Sequence, residues 1–336
     1  MAAPSDDLRA FIRSLPKTET HLHIEGALPV EMLQRHNPVA FPEDWEPIGW
    51  PPDYKYPDFK TFETYLLEHA TQVFTSADQY HEAAKIILRR CADEGCRYVE
   101  TSFHSGICNW LDIAGNDIVE GILAAAPAGM TVRVYTGMLR FDDSPEMMAV
   151  LNDTPNWEHL AGVDLHGPEP YPLMDWTIDI FRANREAGKV NKAHAGEFGP
   201  AGNVREVIEK LDVRRVEHGV RAVEDPEVVR LLLDREVTLD VCPISNVKLN
   251  VYDRMPDHSL RQLVDAGVRC TINTDDPFSF GNRLSDDFLA IANDQGFSRR
   301  ELVQLVRNGW TVALMDEAHK QPFLDELDRI EAGLSD

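Results

Sequence analysis

Arg215-Val-Glu-His218, then a helix-like run at 225–235, then Val237-Thr-Leu-Asp-Val-Cys242: this stretch decides how the chain folds. Each short run of apolar and β-branched residues reads as a buried strand, and the longer run between them as a crossover helix. A strand that returns parallel to its predecessor needs such a crossover, and the hand of that connection is fixed. The same alternation extends outward in both directions. Upstream lie strand-like runs Val190 to His194, Leu160 to Leu165, Thr131 to Leu139 and Arg97 to Phe103, with helix-like runs at 201–211, 173–187, 145–152 and 115–126. Downstream come a helix at 257–266, a strand over Val268–Asn273, and helices to the end. The earliest strand-like stretch is Thr20-His21-Leu22-His23-Ile24-Glu25-Gly26, followed by a short helix at 30–37.

Counting that stretch, eight strands alternate with helices, which predicts a closed (β/α)8 TIM barrel with extra helices after strand 1 and at the C-terminus. No GxGxxG follows the first strand, which counts against an open dinucleotide-binding sheet. The 336 residues suit one barrel domain, since such barrels run to about 250 residues or more. Residues 38–58 carry six prolines among Trp45, Trp50, Tyr54 and Tyr56 and read as an irregular insertion. With the helical spacing of aromatics from Phe59 to Leu66, the segment at about 38–74 reads as an insertion and a helical lid. Ser76 is the expected N-cap of the next helix, and Gly95 its stop.

The formal charge of −24, from 57 acidic and 33 basic residues, argues against a nucleic-acid polymer or an anionic membrane as partner. The five cysteines form no CxxC and read as buried, reduced thiols. The N-terminus lacks a basic start followed by an apolar run, and no stretch of 18 apolar residues occurs, so a cytoplasmic protein is expected.

Catalytic residues of such barrels gather at the C-terminal ends of the strands. There this chain carries His21, His23 and Glu25, then Asp164-Leu-His166-Gly167, His194-Ala-Gly-Glu197, His218-Gly219, Cys242-Pro-Ile-Ser245-Asn246 and Asp275-Asp276-Pro277. His21 and His23 fall on one face because strand side chains repeat every second residue. Asp275-Asp276 alone would also fit an N-cap in a solvated turn. Several ionisable groups on one rim are costly to bury unless a metal or mutual hydrogen bonds satisfy them. Imidazole plus carboxylate without thiolate suits zinc best, with iron and other divalent ions open. His21, His23, His194 and one aspartate would hold the ion. With four protein ligands, the bond to Asp275 is expected to be long, or the ion five-coordinate. Glu197, His218 and Asp276 are left for acid–base work on an activated water, which points to hydrolysis or hydrolytic deamination.

The ordered set of short motifs resembles the adenosine/adenine deaminase family of the amidohydrolase superfamily over nearly the whole chain. The matching motifs are His21-Leu-His23-Ile-Glu-Gly26, Gly162-Val-Asp-Leu-His-Gly167, His194-Ala-Gly-Glu197, Glu217-His218-Gly219-Val220, Cys242-Pro-Ile-Ser-Asn246 and Asn273-Thr-Asp275-Asp276-Pro277. The resemblance implies one Zn2+ per chain on His21, His23, His194 and Asp275, and hydrolysis of a 6-aminopurine to the 6-oxopurine and ammonia. It implies that Glu197 protonates ring nitrogen N1 while water attacks C6. His218 and Asp276 would position that water, Asp276 would also reach N7, and the backbone of Gly167 would bind N3. The partner is then a small-molecule purine, and the oligomeric state is left open, a homo-oligomer included.

Adenosine to inosine is the first reading of the substrate. Adenine, or a larger 6-aminopurine nucleoside, is the alternative, because Glu25 stands where adenosine deaminases usually carry a ribose-contacting Asp. Ser245-Asn-Val-Lys-Leu249 and Met255-Pro-Asp-His258 lean toward the adenine deaminases too. Phe103-His-Ser-Gly-Ile-Cys108-Asn-Trp110 and the 38–58 insertion match neither group well. Two further readings stand lower. A two-metal amidohydrolase would carry a lysine late in the fourth strand, whereas Lys192 lies on the fifth. A non-catalytic purine-binding barrel would have no need of all seven ionisable rim residues.

Overall fold

Residues 6–334 are described by the computed structural model; the first five residues, part of the N-terminal reading, lie outside them. The strands are β1 (Lys17–Glu19), β2 (Cys96–His104), β3 (Thr131–Leu139), β4 (Leu160–His166), β5 (Lys192–Ala195), β6 (Arg215–His218), β7 (Thr238–Val241) and β8 (Arg269–Ile272). They form one parallel sheet in sequence order, β1 to β8. The ring closes just beyond β1 and β8, where His23 N–H donates to the Asp275 carbonyl at 3.1 Å and Asp275 N–H to the His21 carbonyl at 3.2 Å. The (β/α)8 barrel read from the alternation is therefore the fold. Val, Leu, Ile and Ala side chains of the strands and flanking helices form one continuous buried core. Among the described residues no helix is long and apolar enough to cross a membrane.

The His-x-His stretch is not itself a ladder strand. It is extended chain one step past β1, bridged through Leu22 to Asp275 and through His23 to Ser102 of β2. Both neighbours' backbones thereby fix the first two imidazoles. Ser76 does cap its helix, its side chain accepting from Gln79 N–H, and Gly95 ends it in the left-handed region at φ +92°. Helices not anticipated include Asp6–Ser14 at the start, Gly106–Leu111 directly after β2 and Pro243–Lys248 directly after β7.

The barrel floor is charged. Lys192 lies 2.6 Å from Glu217 and 3.3 Å from Glu100, and Arg215 pairs with Glu100 at 3.2 Å and Asp240 at 2.7 Å, all deeply buried. Burial opposes the charge on Lys192, but Glu217 and Glu100 outweigh it and hold the amine protonated. Such networks add little net stability and instead fix geometry. Here Glu217 reaches upward to His194.

The 38–58 insertion has no helix or strand, as its prolines require. It is fastened to the rim: Trp50 Nε1 donates to the Phe278 carbonyl at 2.9 Å, Tyr56 Oη to that of Ser279 at 3.1 Å, and Lys248 Nζ to that of Gly49 at 2.8 Å. The helix that follows, Phe59–Ala70, is thereby set over the C-terminal rim.

Candidate active site

At that rim Nε2 of His21, His23 and His194 and a carboxylate oxygen of Asp275 all lie within 4.8 Å of one another. Each imidazole is aimed from behind. His21 Nδ1 faces the Asp240 carbonyl at 3.1 Å, and His23 Nδ1 faces Ser102 Oγ at 2.9 Å. His194 Nδ1 lies 2.9 Å from Glu217 and 3.1 Å from Asp164. A hydrogen bond at Nδ1 fixes the tautomer that leaves Nε2 with its lone pair free for a metal. Asp275 Oδ1 lies 3.2 Å from His21 and 3.3 Å from His23, while Ser245 Oγ donates to Oδ2 at 2.7 Å.

This donor set fits a cation. His21 Nε2 is buried without a hydrogen-bond partner, and Nε2 of His23 and His194 face each other at 3.2 Å. Burial opposes charge on His194, yet Asp164 and Glu217 prevail and push its proton affinity well up; on His21 burial is likewise outweighed, by Glu217 and Asp275, and its proton affinity is raised. Asp275, although buried, is held well below the usual carboxylate range by His21 and its neighbours. The cluster binds positive charge, and a divalent ion meets the same demand.

Around it stand the acid–base candidates. Glu197 Oε1 accepts from Asn246 Nδ2 at 3.2 Å, and Oε2 lies 3.6 Å from His218 Nε2. Burial and the Asp275 charge push Glu197 well above the ordinary carboxylate range, which favours its protonated, proton-donating form. Asp276 is shifted the same way by the same two causes. His218 is pushed well down by burial and stays neutral. The chain turns sharply to present these groups: His218 and Asp275 sit at φ +61° and +66°. Non-glycine residues held there cost of order 1–3 kcal/mol and cluster at functional sites. The turn at Asp275 sends its carboxylate to the imidazoles and leaves Asp276 to the cavity. Asp276 is not the solvated N-cap of Pro277: it is buried, makes no cap bond, and its Oδ1 has no partner.

Gly26 makes room for Asp276, since a Cβ on Gly26 would lie 1.6 Å from Asp276 Oδ1. Gly26→Ala is expected to displace that carboxyl and lower turnover by about 10²-fold, as misplacements of an ångström do. Metal analysis beside steady-state kinetics checks that the ion stays bound.

A cavity of about 300 Å³ joins these groups and is lined also by Glu25, His104, Trp110, His166, Gly167 and the Phe59–Ala70 helix. Gly167 turns at φ +83°, and a Cβ there would press on Leu139 at 2.6 Å. Glu25 is less free than its position beside His23 implied. Its Oε1 accepts from Tyr80 Oη at 2.5 Å and from His104 N–H at 3.2 Å, which leaves Oε2 outside both bonds. Lys192 points to the barrel floor, toward Glu217 and Glu100, and donates to the Thr20 carbonyl.

Of the rim residues singled out in the sequence, His23, Glu25, His166, Gly167, His194, Glu197, His218, Asp275 and Asp276 line this cavity, and His21 lies beside them among the convergent imidazoles. Several that orient them were missed. Glu169 accepts from the backbone N–H groups of Gly196, Glu197 and Phe198 at 2.9, 2.7 and 2.9 Å, and so clamps the turn that carries Glu197. Asn246 joins Glu197 to His218 Nδ1, also at 3.2 Å. It stood in a quoted motif without a role, whereas nothing local marked Glu169 or Tyr80.

Comparison with known proteins agrees with this geometry. The adenosine deaminase family model matches residues 16–330. An adenine deaminase of Sphingopyxis alaskensis is 34% identical, covering 97% of this chain and 98% of its own. One of Streptomyces coelicolor is 32% identical, covering 94% and 95%. The crystal structure of an adenine deaminase from Arthrobacter aurescens superposes with a TM-score of 0.84 at 27% identity, covering 94% of this chain and 98% of that one. An amidohydrolase of Burkholderia ambifaria, solved with bound zinc, shares the fold with a TM-score of 0.82 at 23% identity, covering 98% and 95%. A match of this extent, on a barrel whose rim carries the motifs in order, makes the chain a member of the adenosine deaminase family, hydrolases of C–N bonds in cyclic amidines within the metal-dependent amidohydrolases.

Proposed function

We propose that the chain hydrolyses adenine to hypoxanthine and ammonia, with one Zn2+ held by His21, His23, His194 and Asp275. The observation that carries this reading is the gathering of Glu197, His218 and Asp276 in one cavity beside the convergent side chains of His21, His23, His194 and Asp275. Bound there, the metal supplies Lewis-acid activation of water near neutral pH.

The protein's own groups do the rest. Glu197 presents its proton on Oε2, because Oε1 is occupied by Asn246, and gives it to N1 of the purine, which makes C6 electrophilic. His218, with Asn246 donating to Nδ1, carries its proton on Nε2 and orients the attacking water. Asp276, kept as the neutral acid, donates to N7, and Gly167 N–H donates to N3. The cavity excludes bulk water through the Phe59–Ala70 helix, whose Phe59, Phe62, Leu66 and Leu67 form an apolar roof.

Two observations favour the free base over the nucleoside. The cavity is at the small end of the roughly 300–1,000 Å³ usual for ligand sites. The similar proteins from Sphingopyxis and Streptomyces are both adenine deaminases. An ammonia-release screen of adenine, adenosine, deoxyadenosine and N6-substituted adenines tests the assignment; turnover of nucleosides alone would refute it. Elemental analysis should find one zinc per chain, and a reproducible two would overturn the mononuclear site.

A further inference from the structure

Two histidines in the cavity take no part in the chemistry above. His104 ends β2 and His166 ends β4, and Nδ1 of the first lies 3.1 Å from Nε2 of the second. The rings step outward from the metal cluster. His166 is 5.9 Å from His23 by ring centroids and 5.2 Å from His104, which is 5.2 Å from the half-exposed Trp110. The backbone is cut away to admit both. A Cβ on Gly137 would lie 2.6 Å from the His166 ring, and one on Gly106 would lie 2.6 Å from His104 Nε2. The outer nitrogens, Nε2 of His104 and Nδ1 of His166, have no hydrogen-bond partner among the described residues, although both rings line the cavity.

Two neutral imidazoles share one contact through a single proton. Each ring has one N–H and one lone pair. Whichever ring donates in the shared bond, the two outer nitrogens are left as one donor and one acceptor. One outer nitrogen is thus left as an acceptor for an N–H of a ligand in the cavity. An unsubstituted 6-aminopurine offers such an N–H at N9, beside the N3 assigned to Gly167. A nucleoside carries its sugar on N9 and has no donor there.

We propose that the His104–His166 pair determines specificity, its one outer acceptor nitrogen taking the N9–H of a purine base and so discriminating against N9-substituted substrates. This rests on the reading of the chain as a 6-aminopurine deaminase and deepens it. His166 directly precedes Gly167, whose N–H is assigned to N3, so the paired rings lie along the same purine edge. Trp110, which also lines the cavity, flanks the pair on the His104 side.

The test compares kcat/KM for adenine and 9-methyladenine in the zinc-loaded wild type, His104→Phe and His166→Asn. The wild type should favour adenine by about 10²-fold or more, because a site built to bond an N–H leaves its own acceptor unpaired against the methylated base. Either variant should collapse that ratio to below about 10 while zinc content is retained, chiefly by losing turnover of adenine. A purely structural role would depress both substrates alike. An unchanged ratio in both variants, or a wild type indifferent to the 9-methyl group, overturns the pair's role while leaving adenine deamination standing. Ammonia from adenosine but none from adenine overturns the base assignment itself, and the histidine pair with it.

Discussion

Glu197→Gln is expected to lower turnover by about 10²–10⁴-fold, the range general acid catalysis supplies, with metal content and thermal stability close to wild type. Gln keeps the shape and still accepts from Asn246 at Oε1, so the buried neighbours lose no hydrogen bond. What it lacks is the proton on Oε2. Glu197 is raised by burial first and by the Asp275 charge second. The acid form is therefore present below its raised pKa and lost as pH climbs through it, so wild-type turnover falls on the alkaline side. The variant's residual activity should lack that alkaline limb. A variant that keeps near-normal kcat, or an alkaline limb that survives the substitution, removes Glu197 from the role of proton donor.

How far the sequence already showed this depends on range. The barrel was legible because each strand and helix announces itself within about ten residues: Thr131–Leu139 and Arg215–His218 are bounded as read. The candidate ligands were legible because a barrel puts strand ends on one rim, so that His21, His194 and Asp275 meet although far apart in the chain. The helix Gly106–Leu111 was not, since six residues are too few for a 3.6-residue period and Ser105 makes no cap bond. Pairings across the fold had no local mark at all. Tyr80 reaches Glu25 from 55 residues away, and Glu169 clamps Gly196 to Phe198 from another loop. The position of Glu25 drew notice as the place where a sugar would be read, yet its hold by Tyr80 and by the backbone of His104 emerges only in three dimensions. His166 shows the opposite case. Its motif was quoted for Gly167, and only the contact with His104 gives the side chain a meaning.

His21→Ala is expected to abolish metal binding and activity together, and to do so with a readout independent of turnover. His21 is buried, its ring fixed from behind by the Asp240 carbonyl and the Cys242 thiol. Removing it takes one donor from the four and also the nearest partner of Asp275 Oδ1, at 3.2 Å. Breaking a buried ion pair by removing one partner costs about 3–5 kcal/mol, because the charge left behind keeps its desolvation penalty. The variant should therefore melt lower than the wild type. A metal that binds only the folded state adds stability that grows as RT ln(1 + [metal]/Kd), and so raises Tm. The wild type stripped with chelator should regain Tm on titration with zinc, whereas the variant should show no zinc-dependent shift at the same concentrations. His23→Ala offers the parallel case from a less buried ligand, with His194 losing its 3.2 Å neighbour instead. If His21→Ala still binds one equivalent of zinc and still answers zinc with a wild-type rise in Tm, the four-ligand site is wrong. If it loses the shift but keeps its turnover, the metal is structural and the chemistry belongs to Glu197, His218 and Asp276 alone.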